Sequence, residues 1–328
     1  MGPTSTPPDR QAAPDRPTFA AGAVRVRVPA TSANLGPGFD ALGVALALHD
    51  DVTARVTGGG YVVQVGGEGA GELPGNEEHL VVRAMLATFD ELGARPPGLS
   101  VQCVNRIPQA RGLGSSSAAI VAGVQLARGL AVDGPARLDD AAVLRIAAEM
   151  EGHPDNVAPC LLGGFTIAWV EASGARAVRL EPAAGVHPTV FVPAERGLTA
   201  VARATLPLSV PHADAARNAG RAALLVHALT ADPSLLLAGT EDRLHQDYRA
   251  AGMPATSALV TALRAAGVAA VVSGAGPAVL ALSPVPERFD AGRGWEVRGL
   301  GIDGTGAQVE GGRLGHAERG PVAAGRKS

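Results

Sequence analysis

The stretch Pro108-Gln109-Ala110-Arg111-Gly112-Leu113-Gly114-Ser115-Ser116-Ser117-Ala118 decides how this chain is read, and directly after it comes the apolar run from Ile120 to Leu130, which has the character of a buried helix. Glycines let the backbone pass close to an anion at positive φ. A helix start offers unpaired N–H groups and the positive end of its dipole, and serines add donors or a metal ligand. The same residues also make an ordinary capped turn, since serine is a common helix cap and Gly-Ser clusters are common in loops. The stretch is not the nucleotide loop Gly-x4-Gly-Lys-Ser/Thr, because the chain holds a single lysine, Lys327, the last residue but one. Of its 28 basic residues the other 27 are arginine, which disfavours Schiff-base and other lysine chemistry.

Composition narrows the class further. A chain of 328 residues with 46% apolar side chains can fill two cores. A net charge of −3 disfavours nucleic acid or an anionic membrane as the main partner, and a small polar ligand fits better. No apolar stretch reaches 18 residues and the first residues lack a basic-then-apolar pattern, so a cytoplasmic protein is expected. Cys103 and Cys160 have no metal-ligand spacing and read as small core residues.

Outward from the loop, Val24 to Val28, Val52 to Val56 and Tyr61 to Val65 alternate with period two. Gly58-Gly59-Gly60 separates the last two, which predicts a hairpin. The pattern predicts helices from His79 to Leu92 and, capped by Asp139 or Asp140 and stopped by Gly152, through to Met150. Further helices are expected around 213–229, 234–244 and 256–266, with strands at 99–105, 165–170, 190–193, 269–272 and 278–282. Residues 1–22 and 311–328, rich in Pro, Gly, Arg and Ala, are expected to be disordered tails around units at 23–185 and 186–310.

Two more polar, glycine-bearing segments interrupt apolar structure: Pro29 to Asp40, containing Asn34 and Asp40, and Ser273-Gly274-Ala275-Gly276-Pro277. Singly they read as an Asx-turn and a hairpin turn. Together, in this order and spacing, the three segments resemble the signature motifs of the GHMP kinases, named for galactokinase, homoserine kinase, mevalonate kinase and phosphomevalonate kinase. The middle motif, Pro-x3-Gly-Leu-Gly-Ser-Ser-x-Ala, matches at every fixed position. The first motif and His153-Pro154-Asp155-Asn156-Val157-Ala158-Pro159 resemble the homoserine kinase branch in particular.

The resemblance implies a two-domain α+β fold: an N-terminal domain with a left-handed βαβ unit and a ferredoxin-like C-terminal domain, with the site between them. It implies ATP at residues 108–118, supported by the glycine loop at Gly274 and Gly276, and Mg²⁺ held by Ser116 and Glu149, with Glu151 as the alternative. It also implies the amino acid L-homoserine as substrate at Asn34, Asp40, His153, Asp155, Asn156, Arg203 and Arg249, and leaves a homodimer open. Many members of the family place an aspartate where Asn156 stands, and an asparagine cannot accept a proton at neutral pH. Orientation and charge neutralisation would then do most of the work, with the phosphate as proton acceptor. Relatives tend to carry Asn-Leu-Val where this chain has His79-Leu80-Val81, next to the adenine region. The rivals are a GHMP kinase for mevalonate, a diphosphocytidyl-erythritol or a sugar, and a catalytically silent binding protein.

Overall fold

A computed structural model of the protein describes residues 18–197 and 199–311. Val24, Val26 and Val28 are fully buried at every second position, and this alternation makes the first half of β1 (Val24–Ala33) a strand with one face on the core. Pro29 has no N–H to give the ladder, and the register with β2 (Leu42–Thr57) shifts between Pro29 and Ala30. Past that shift every residue to Ala33 is buried, so β1 delivers the next turn into the interior.

β3 (Gly60–Gly67), α1 (Leu80–Leu92) and β4 (Gly98–Asn105) form a parallel βαβ unit, with β4 inserted antiparallel beside β2. The expected β2–β3 hairpin therefore does not form. The three glycines carry the chain over the start of β4, where a Cβ on Gly98 would lie 2.4 Å from the Gly59 carbonyl carbon. Next come α2 (Ser115–Leu130), the single turn α3 (Gly134–Arg137), α4 (Asp140–Glu151), α5 (Pro154–Leu162) and the hairpin β5 (Phe165–Glu171) and β6 (Gly174–Leu180). Asp139 caps α4 by accepting from Ala142 N, Gly152 ends it at positive φ, and Pro154 opens α5 at a position needing no N–H. β5 pairs with the first half of β2.

The second sheet starts at β7 (Thr189–Pro193). It is followed by α6 (Thr199–Ala204), α7 (His212–Thr230), α8 (Leu236–Gly239), α9 (Gln246–Arg249), α10 (Pro254–Ala265), β8 (Ala270–Val272), β9 (Val279–Ala281) and β10 (Trp295–Gly299). The antiparallel order β10-β7-β9-β8 is the 4-1-3-2 arrangement of a ferredoxin-like sheet. Val190 and Val192 join the large core shared with the first sheet, and Phe191, on the other face, packs with Leu259 and Leu263 of α10. The helix expected over 234–244 is broken after Gly239. Asp242 caps the following turn instead, accepting from the N–H groups of Leu244, His245 and Gln246.

Two expected boundaries change. Residues 18–20, expected in a disordered tail, dock on α1 and α2: Ala20 N donates to Leu130 O at 2.8 Å and Phe19 meets Phe89 of α1 edge-to-face at 5.4 Å. Residues 300–310, assigned to the C-terminal unit, and Gly311, expected in the tail, return to the first sheet, where Ile302 bridges Leu46 and β11 (Gln308–Gly311) pairs with β1. The remaining parts of both expected tails, 1–17 and 312–328, lie outside the described residues. No described helix is long and apolar enough to cross a membrane.

The returning segment is fastened by Asp303, whose carboxylate pairs with His49 Nε2 at 2.6 Å and accepts from Thr305 N and Gly306 N. Burial opposes the charge, but these partners outweigh it and hold the carboxyl at about 2. Relative to an ordinary aspartate this stabilises the fold by about 2 kcal/mol above pH 4, and the contribution fades as pH falls towards 2. Asp303→Asn is expected to lower stability at pH 7 and to flatten that part of the acid limb, read from urea midpoints between pH 7 and pH 2.5.

Candidate active site

The three glycine-bearing segments, remote in sequence, meet at one place. Thr31 N donates to Leu113 O at 3.1 Å, and Gly274 N donates to Ala33 O at 3.1 Å. Asn34 donates from Nδ2 to Gly274 O at 2.9 Å while its Oδ1 accepts from Asp40 N at 2.9 Å. The buried Ser273 hydroxyl lies 2.6 Å from Gly112 O and 2.8 Å from Ser32 Oγ, sharing hydrogen bonds with both. Arg111 ties the middle loop to the end of β7, donating to Pro193 O and Ala194 O at 2.8 Å each. Asp50 holds the start of that loop, its Oδ1 accepting from Arg106 N at 2.6 Å and Ile107 N at 2.9 Å. Burial outweighs those bonds and raises the Asp50 carboxyl to about 6.

This junction leaves room for glycine alone at Gly112 and Gly114. Both have positive φ, +76° and +70°, and an added Cβ would lie 2.2 Å from Ser273 O and 2.0 Å from Thr31 Oγ1 respectively. Gly114 is the N-cap of α2 and brings no side chain to it, so the helix starts uncapped. A missing cap costs roughly 1 kcal/mol. Ile120, Val121, Val124, Leu126 and Leu130 are each at most 1% exposed and contribute on the order of 10 kcal/mol, so the helix stands without it. The free N–H groups at its start, with Ser115 and Ser116 beside them, are an anion site. Ser117 Oγ is buried with no partner among the described residues.

A cavity of about 440 Å³ runs from this helix start in two directions. At one end Leu73, Pro74, Leu80 and Val81 form a mostly apolar wall. His79 caps α1 there, its Nδ1 accepting from Val81 N at 3.2 Å, and burial lowers its pKa so that the ring stays neutral. At the other end Asn34, Asp40, His153, Asp155, Asn156, Arg203 and Arg249 line the same space. The Asp40 carboxylate receives a two-pronged bond from Arg203, at 2.7 and 2.8 Å, which raises the arginine's pKa. Arg249 is 3% exposed, and burial first and the neighbouring Arg203 second lower its pKa. It donates to Ala202 O and to His245 Nδ1, leaving Nη2 unused among the described residues. Asp155 is 1% exposed and lies 2.6 Å from His153 Nδ1. Burial opposes the imidazolium, but the Asp155 carboxylate outweighs it and raises the His153 pKa. Thr31 donates to Asn156 Oδ1 at 2.9 Å, linking the first motif to α5.

Glu149 is not at this site. Two residues along a helix turn about 200°, so Glu149 and Glu151 face opposite ways. Glu149 pairs with Arg145 on the outer surface at 3.3 Å, whereas Glu151 lines the cavity and accepts from Ser116 Oγ at 2.8 Å. The hydroxyl and carboxylate oxygens at this corner are hard donors of the kind that suit Mg²⁺.

The N-terminal domain profile of the GHMP kinases matches residues 79–164 and their C-terminal profile matches residues 216–293. The chain is 59% identical to the homoserine kinase of Streptomyces coelicolor over 297 residues, which span 89% of this chain and 96% of that protein. It belongs to the GHMP kinases, in their homoserine kinase family. The homoserine kinase of Streptomyces avermitilis is 58% identical, covering 89% of this chain and 97% of the relative. The crystal structure of homoserine kinase from Cytophaga hutchinsonii superposes with a TM-score of 0.75 at 28% identity, covering 88% of this chain and 97% of that one.

Of the expected loop residues, Gln109, Ala110, Gly112, Gly114, Ser115, Ser116, Ala118 and Gly274 line the cavity with the seven residues of the other end, whereas Pro108, Arg111, Leu113, Ser117 and Gly276 do not line it, and Glu151 lines it where Glu149 was expected. Sequence reasoning missed Thr31, Asp50 and Ser273. Each is a short polar residue whose partner lies at least 56 positions away. Gly114→Ala, strained in φ and in contact with Thr31, is expected to lower kcat/KM for ATP at least a hundredfold, about 3 kcal/mol in transition-state terms. Steady-state kinetics with varied ATP check this.

Proposed function

We propose that the chain transfers the γ-phosphoryl group of ATP to the hydroxyl of L-homoserine, giving O-phospho-L-homoserine, as a Mg²⁺-dependent cytoplasmic enzyme. One observation carries the choice of substrate: two carboxylates and two guanidiniums share a cavity with an uncapped helix start. An amino acid brings both an ammonium and a carboxylate to match them. Mevalonate or a sugar would bring no ammonium to the Asp155 oxygen that His153 leaves open, which is costly for so buried a carboxylate.

The free N–H groups of α2, with Ser115 and Ser116, would hold the phosphates of ATP. The Leu80 and Val81 end would take the base. Ser116 and Glu151 would hold Mg²⁺, which when bound neutralises phosphate charge and fixes the γ-phosphoryl geometry. Asp155, oriented by His153, would take the substrate ammonium, and the open side of Arg249, with Arg203, the carboxylate. With Thr31 bonded at Asn156 Oδ1, Nδ2 of that amide would be left to bond the acceptor hydroxyl and hold its oxygen in line. The amide accepts no proton, so the hydroxyl proton leaves on the transferred phosphoryl group.

A coupled ADP-release assay with L-homoserine, mevalonate and galactose tests the assignment. Turnover on L-homoserine alone is expected, and its absence at saturating Mg·ATP would sink the reading. Glu151→Gln is expected to raise the Mg²⁺ concentration for half-maximal rate about tenfold, while Glu149→Gln leaves it near wild type. Arg203→Ala is expected to lower kcat/KM for L-homoserine more than tenfold, about 1.4 kcal/mol or more, with KM for ATP near wild type. Collapse of ATP binding would instead remove that arginine from the substrate end.

A further inference from the structure

Phe39 brings no polar group to the site, yet its ring is the common neighbour of both arginines at the substrate end. The guanidinium carbon of Arg203 lies 5.5 Å from the ring centroid and that of Arg249 lies 5.4 Å from it. The His245 ring stacks on Phe39 at 5.2 Å with a 33° tilt. These partners come from α6, α9 and the residue before α9, whereas Phe39 belongs to the Gly-Pro-Gly turn after β1. The turn is itself rigid: Asn34 fixes Asp40 N, and the buried Asn218 donates to Pro37 O at 2.8 Å.

The two guanidiniums repel each other, and only one has a carboxylate. Asp40 pairs with Arg203, but no carboxylate lies within 4 Å of Arg249 among the described residues. Arg249 is therefore a buried cation held by a carbonyl, a neutral imidazole and an aromatic face. The imidazole is fixed in turn, since His245 Nε2 donates to Gly36 O at 2.9 Å, which leaves Nδ1 to accept from Arg249. An aromatic face attracts a cation electrostatically, and most strongly where water is excluded. An aliphatic side chain of similar volume fills the space without that attraction.

We propose that Phe39 is a positioning residue: its ring holds Arg203 and Arg249 side by side as a preformed fork for the carboxylate of the amino-acid substrate. This rests on the function proposed above. Phe39 does not itself line the cavity and its ring contacts are with the two arginines and His245, so its effect falls on the amino acid's KM. A preformed fork also avoids ordering two long side chains when substrate binds.

Steady-state kinetics of wild type, Phe39→Leu and Phe39→Tyr, with L-homoserine and ATP each varied, test it. Phe39→Leu is expected to raise KM for L-homoserine at least tenfold, with kcat within threefold and KM for ATP within twofold of wild type. Phe39→Tyr keeps the aromatic face and is expected within threefold of wild type throughout. If Phe39→Leu does not fold, Phe39→Met carries the same readout. No wild-type turnover on L-homoserine removes the proposal together with the function beneath it. Wild-type turnover with an unchanged KM in Phe39→Leu removes this proposal alone. An equal rise in KM for ATP, or a Phe39→Tyr enzyme as impaired as Phe39→Leu, assigns the ring to the fold and overturns it.

Discussion

The hydrogen bond between the Ser273 hydroxyl and the Gly112 carbonyl is the closest link in a junction on which the rest of the site depends. Around it Asn34 reaches Gly274, Thr31 reaches Leu113, and Gly112 and Gly114 stand where any Cβ would collide. The junction fixes the direction in which α2 starts, and α2 is the helix around which the first core is packed. Because that packing stabilises the helix by far more than a cap would, its first N–H groups can be left free for an anion. The loops from the two sheets then face one another across the same few residues, which makes one cavity from a core shared by both halves.

Charge is arranged across the cavity by the same logic. The phosphate end offers backbone N–H groups, hydroxyls and the Glu151 carboxylate, and the cavity lining holds no lysine. The opposite end sets Asp40 and Asp155 against Arg203 and Arg249, nearly balanced before a zwitterion arrives. Asp40 accepts from Arg203 at both oxygens, so Asp155 would be the carboxylate left for an ammonium, and the unused Nη2 of Arg249, beside Arg203, would receive a carboxylate. A site built this way rejects ligands lacking either charge, because they leave a buried ion unmatched.

Much of this was legible in the sequence because it is local. Alternation at Val24 to Val28, the caps at Asp139 and Gly152, and Pro154 at a helix start are each decided within a few residues. The fold as a whole, and the grouping of the site residues, came from three motifs read together. What was not legible is pairing at a distance. Gly58 to Gly60 looks the same whether the flanking strands pair or admit β4 between them, and nothing near Ile302 announces its return to Leu46. Glu149 and Glu151 are equivalent in composition, and only the helix phase relative to Ser116 separates them. Ser273 looked like part of a turn, because its partners Gly112 and Ser32 lie 161 and 241 positions away.

The central claim is that this junction of three loops holds the free start of α2 in place for phosphate. Ser273→Ala deletes one oxygen from it and leaves the chain's charges and the other bonds intact. Calorimetric titration of that variant with Mg·ATP tests the claim most directly. An affinity at least tenfold weaker than wild type, with L-homoserine binding within twofold, is the result the account predicts. Wild-type affinity for Mg·ATP in a folded Ser273→Ala protein would contradict it.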